Sequence, residues 1–171
     1  STAPADITIY YRQNNLSKIE KEKIKDKVLA IEDALKESWL EFKDLLGVQP
    51  EHEMEIYLTN KLAKDTYGDS CSYADANNKT DGYEIRLNES LSDCKLKSTT
   101  AHELFHSFQD RMGLHWHDKS SDLDWLREAT AVWSENFIYP SCNKEREYVK
   151  DFFGTLNSDR LSTIDTQEYS S

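Results

Sequence analysis

Between Ile24 and Leu46 the large apolar residues return at steps of three and four: Ile24, Val28, Ile31, Leu35, Trp39, Phe42 and Leu46. That spacing is the buried seam of one long helix, running from about residue 16 to 46, with Lys and Glu filling its wet face. Gly47 stops it and Pro50 prevents its resumption. A helix of this length acts as a backing layer, so the question becomes what the rest of the chain lays against it.

Three segments read as strands. Ile7-Thr8-Ile9-Tyr10-Tyr11 is β-branched and aromatic, Met54 to Thr59 alternates, and so does Tyr83-Glu84-Ile85-Arg86-Leu87. The last is flanked by polar loop residues, which places it at a sheet edge. A short helical piece is expected after Thr59, then a loop from Gly68 to Gly82 rich in Ser, Asp, Asn and Gly. Within that loop Asp75 to Gly82 superficially has the look of a calcium loop, but Lys79 stands at a ligand position and the closing Glu is missing. It reads as a turn. Residues Lys97 to Gly113 follow a helical pattern, with Ala101, Leu104, Phe105, Phe108 and Met112 on one side. Leu123 to Tyr139 forms a further helix stopped by Pro140, and Asn143 to Leu156 a short amphipathic one. The fold class is α+β: a small mixed sheet with an edge strand, a long backing helix and two shorter helices.

The chain has 171 residues, enough for one domain with a real core. We expect a single domain over 1–171, with an upper lobe over about 1–114 and a lower part over about 115–171. No stretch has the apolar length of a membrane span. The net charge of −11 disfavours nucleic acid and anionic lipid as partners. Cys71, Cys94 and Cys142 lack the close pairing of a zinc knuckle. Cys71–Cys94 would tie a loop to the start of a helix, and Cys94–Cys142 would join the outer ends of two antiparallel helices; the first is slightly preferred. Three sequons, at Asn15, Asn78 and Asn88, together with an opening Ser-Thr-Ala-Pro that lacks Met, suit a secreted or extracytoplasmic protein after leader removal, or a trimmed fragment.

The chemistry-bearing segment is Ala101-His102-Glu103-Leu104-Phe105-His106. Two histidines four apart project from one face of a helix, so both imidazoles can reach a single cation. Glu103 sits about 100° round from His102, near the metal but poorly aimed to bind it, which suits a general base. A catalytic site needs a third protein ligand. Glu128, in Trp125-Leu126-Arg127-Glu128-Ala129-Thr130-Ala131-Val132-Trp133, starts the next helix, where small Ala129 and Ala131 allow close approach. Asp124 is its main rival; His115, His117 and Asp122 lie in the connecting segment.

Ala-His-Glu-Leu-Phe-His-Ser-Phe-Gln followed by Trp-Leu-x-Glu-Ala-x-Ala-x-Trp resembles the gluzincins, the thermolysin-like or peptidase MA-like zinc metallopeptidases, over about Thr99 to Pro140. A metzincin would instead have Gly at position 109 and His at 112, where this chain has Gln109 and Met112. The resemblance implies a zincin-like fold, Zn2+ as cofactor, His102, His106 and Glu128 as metal ligands, and Glu103 as the catalytic base that later donates a proton to the leaving amine. The substrate is then a peptide or protein. Two departures stand out. The acidic residue the family carries one turn past its ligand Glu is here Val132, while Glu135, two turns on, is placed to serve His102 but reads rather as a surface charge. No motif identifies an oxyanion donor; Tyr139, His115 and His117 are the candidates. Because only one short helix follows Pro140, the lower helical lobe is expected to be reduced or truncated. An edge strand at Tyr83 to Leu87 would hold an extended substrate by its backbone. The alternatives are a non-catalytic zinc-stabilised binding or adhesion module, and a processing or toxin protease of narrow specificity.

Overall fold

A computed structural model of the protein describes residues 7–63, 66–74, 80–114 and 124–142. Strand β1 (Ile7–Tyr11) leads into helix α1 (Lys18–Leu46), followed by β2 (Glu53–Thr59), β3 (Gly68–Ala74), β4 (Thr80–Asn88), α2 (Asp93–Arg111) and α3 (Asp124–Ile138); a single 3-10 turn follows at Pro140–Cys142.

Local chemistry sets the ends of α1. The Ser17 hydroxyl accepts the Glu20 backbone N–H, and the Glu20 carboxylate accepts the N–H of Ser17 at 2.8 Å, so two orphan donors are satisfied reciprocally. At the other end Gly47 takes φ +66° and returns its N–H to Lys43, a left-handed cap that glycine adopts without steric cost.

The sheet runs in the order β1-β2-β4-β3, with β1, β2 and β4 parallel and β3 antiparallel to β4. Alternation decides its faces. Met54, Ile56 and Leu58 of β2 and Tyr83, Ile85 and Leu87 of β4 are buried on one side. The other side is wet: Tyr10 stacks on Tyr57 at 4.8 Å, both hydroxyls donate to Glu55, and Arg86 pairs Asp69 through two bonds of 2.6–2.7 Å.

Helices α1 and α2 share the covered face in one core with the sheet. Edge-on aromatic contacts join them: Phe42 meets Phe105 at 4.9 Å and Phe108 at 5.6 Å, and Trp39 meets Phe108 at 5.3 Å. Helix α2 is buried nearly all round from Ser98 to Asp110, with α1, β3, β4 and α3 as neighbours. Its hydroxyls are accommodated because they bond to carbonyls of their own helix: Thr100 to Leu96, Ser98 to Lys95 and Ser107 to Leu104.

The structure corrects four expectations. Residues 68–74 form a strand, not a loop; Gly, Asp and Ser have weak strand propensity, and pairing with β4 overrides it. The segment Tyr83–Leu87 is therefore internal, between β2 and β3, and β3 is the edge. Alternation reports one wet face and does not distinguish an edge from an interior strand. The disulfide joins Cys94 to Cys142, whose Cα atoms are 5.4 Å apart, and Cys71 is a free exposed thiol. The antiparallel packing of α2 and α3 brings the start of one beside the end of the other. Residues 60–63 form no helix. Of the turn expected over 75–82, residues 80–82 belong to β4 and residues 75–79 lie outside the described residues, as does the helix expected over 143–156.

Because Phe42 is fully buried at the α1–α2 contact, Phe42→Ala is expected to lower stability by about 3–5 kcal/mol in urea denaturation. A loss below about 1 kcal/mol would mean that these rings do not hold the two helices together.

Candidate metal centre

His102 and His106 are one turn apart on α2, and Glu128 lies on the first turns of α3, which packs against α2. The two Nε2 atoms are 3.2 Å apart. One Glu128 oxygen lies 3.4 Å from His102 Nε2 and the other 3.4 Å from His106 Nε2. A tetrahedral ion with bonds of about 2.0–2.1 Å puts neighbouring ligand atoms roughly 3.3 Å apart. The group can hold a metal ion, and among the described residues it is the one set of three or more His, Cys, Asp or Glu side chains able to do so. Asp124, the rival ligand, is on α3 but outside this group. His115, His117 and Asp122 lie outside the described residues.

Each imidazole is gripped from behind. His102 Nδ1 is 2.8 Å from Glu135 Oε1; a carboxylate only accepts, so Nδ1 carries the hydrogen and Nε2 faces the centre. The reading of Glu135 as a surface charge is thus corrected. Two turns along α3 from Glu128, it occupies the role that Val132 cannot fill. His106 Nδ1 is 2.7 Å from Gln109 Oε1, and Gln109 is fully buried. Neither support was assigned from the sequence, although i+3 spacing puts Gln109 on the His106 face and i+7 spacing puts Glu135 on the Glu128 face.

Glu103 is buried beside the cluster, 5% exposed, against edge strand β3. A Cβ placed on Gly68 would come within 2.8 Å of Thr99 Cγ2 and 3.0 Å of Glu103 Oε1, so the missing side chain is what lets the strand sit on the helix here. Ser70, from the same strand, lines the same small cavity as Glu103. On the far side, buried Arg127 is ion-paired with Asp110 and donates to the Leu114 carbonyl, anchoring the turn that carries Glu128.

The electrostatics follow from this packing. Burial pushes the Glu103 carboxyl up to about 7, against the pull of His102 and of the Ser70 hydroxyl. For His102, burial opposes the charged form, yet hydrogen bonds to Glu128 and Glu135 outweigh it and raise the ring to about 10. His106 is pushed down, first by burial and then by the charge of His102. Glu128 is lowered despite its burial, through the hydrogen bond with His102 and the charges of both histidines.

Tyr139 is not at the centre: its hydroxyl donates to Glu37 of α1 at 2.7 Å, and its ring packs on the core. Comparison with known proteins finds no matching family model, no matching curated protein and no matching solved structure.

Gly68→Ala is expected to cost about 1–3 kcal/mol, as overpacking against Thr99 and Glu103 does in a close-packed interior. Thermal denaturation reads it; an unchanged midpoint would show that β3 does not press on α2 at Glu103.

Proposed function

We propose that this protein is a zinc-dependent endopeptidase of the gluzincin type, with His102, His106 and Glu128 holding the metal and Glu103 acting as general base. The observation that supports this reading best is the meeting of two Nε2 atoms and one carboxylate at 3.2–3.4 Å, with a buried glutamate next to them on the same helix. Two imidazole nitrogens and a carboxylate are a donor set that suits zinc, and three protein ligands would leave a fourth position open.

Zinc, when bound, supplies Lewis acidity toward a carbonyl oxygen and makes water a stronger acid. The chain's own groups do the rest. Glu103 takes the proton of the attacking water on its carboxylate. It then delivers that proton to the nitrogen as the carbon–nitrogen bond breaks, leaving a carboxylic acid and an amine. Glu135 and Gln109 keep both imidazoles turned with Nε2 inward. Strand β3, at the sheet edge beside Glu103, offers backbone groups along which an extended peptide can lie.

The setting we infer is extracytoplasmic. No helix among the described residues is long and apolar enough to cross a membrane, and one disulfide is present. Of the sequons, Asn15 is exposed in a turn. The Asn88 amide is committed instead: its nitrogen donates to Thr66 and its oxygen accepts from Ser90.

Cleavage of a broad peptide library tests the reading. Glu103→Gln is expected to remain folded and zinc-loaded while losing turnover by at least about 100-fold; His106→Ala is expected to lose the metal too. Wild-type-like cleavage by Glu103→Gln would sink the mechanism.

A further inference from the structure

Gln109 has a larger role than filling the core beneath His106. It is fully buried, and all of its side-chain hydrogen bonds lead to the metal-ligand framework. Its Nε2 is 2.8 Å from the Arg127 carbonyl and 2.7 Å from Thr130 Oγ1. The carbonyl can only accept. The Thr130 hydroxyl spends its own hydrogen on the Leu126 carbonyl at 2.7 Å, so toward Gln109 it also accepts. Both partners on that side require a donor, which fixes the amide: the NH2 group faces α3 and Oε1 faces His106. An amide oxygen cannot donate, so the hydrogen of the 2.7 Å contact belongs to His106 Nδ1.

We infer that Gln109 is a positioning residue that transmits the backbone arrangement of α3 to the tautomer of His106. The carbonyl of Arg127, the residue before ligand Glu128, sets the amide, and the amide sets the ring with its Nε2 lone pair toward the centre. One side chain therefore couples the ligand on α2 to the turn bearing the ligand on α3. The Nδ1 hydrogen of each histidine is held by different means: that of His102 by a carboxylate, which accepts in any orientation, and that of His106 by a neutral amide that depends on α3 being in place. In the absence of Gln109, Nε2–H of His106 can instead donate to Glu128, 3.4 Å away, and that form cannot ligate.

The inference rests on the metal-centre reading, but its first test needs no metal. In the metal-free protein, 15N-resolved NMR of the His106 ring is expected to show Nδ1–H. Gln109→Leu is expected to shift the ring toward Nε2–H, and zinc affinity by chelator competition is expected to fall roughly 10–100-fold. Gln109→Glu, which keeps an acceptor for His106 but presents a carboxylate to the Arg127 carbonyl, is expected to retain the Nδ1–H form. It thereby keeps the test valid if the leucine variant does not fold. Should His106 keep the Nδ1–H form in Gln109→Leu, or lose it in Gln109→Glu, the inference is overturned. Failure of the wild type to bind zinc would instead overturn the metal-centre reading, with the tautomer result still deciding whether Gln109 sets the ring.

Discussion

A helix buried on nearly every side must satisfy its polar groups internally or lose more than packing returns, and α2 is such a helix. Between Ser98 and Asp110 it carries two histidine-bearing turns, a glutamate, a glutamine, an aspartate and four hydroxyls, alongside only a few large apolar residues. The structure resolves this by a division of labour. Three of the hydroxyls bond back to their own helix, Phe105 and Phe108 meet the aromatic seam of α1, and the ionisable groups are met by α3 and β3. The partners of these buried groups determine where α3 and β3 can sit.

The candidate site is a product of that arrangement. Asp110 holds Arg127, Gln109 holds the Arg127 carbonyl, and the next residue is Glu128. The carboxylate therefore reaches the histidines from a turn fixed at two points. On the other flank, Gly68 lets β3 come down onto Glu103 and gives the glutamate a dry, strand-lined environment. The Cys94–Cys142 bridge closes the far end of the α2–α3 pair, tying the region after α3 to the start of α2. Glu128, Glu103 and strand β3 are held by elements whose mutual packing runs through one helix.

Much of this was legible in the residues. The seam from Ile24 to Leu46 announced α1 because large apolar side chains recur with a helical period, and Gly47 supplied a recognisable end. The His-Glu-x-x-His spacing placed two imidazoles on one face, and Glu128 stood on the next helix at the right remove. Strand β3 was hidden because Gly68-Asp69-Ser70-Cys71 has turn-like composition; its conformation comes from the partner strand. Without it, β4 could not be seen as internal. Helix α2 begins earlier than its apolar periodicity implies, since its first turn is polar and its burial extends beyond one stripe. Gln109 gave no sign of its role, and Glu135 read as a surface charge, for a related reason. A polar residue on a helix gives no sign of whether it faces water or a histidine until the neighbouring helix is placed.

The central claim is that these three side chains form one metal site. Zinc content by elemental analysis of the purified wild type and of Glu128→Ala tests it most directly. The account predicts one zinc per chain in the wild type and a sharp loss in the variant, with the fold retained by circular dichroism. A wild type without zinc, or a variant that holds it undiminished, would contradict the account.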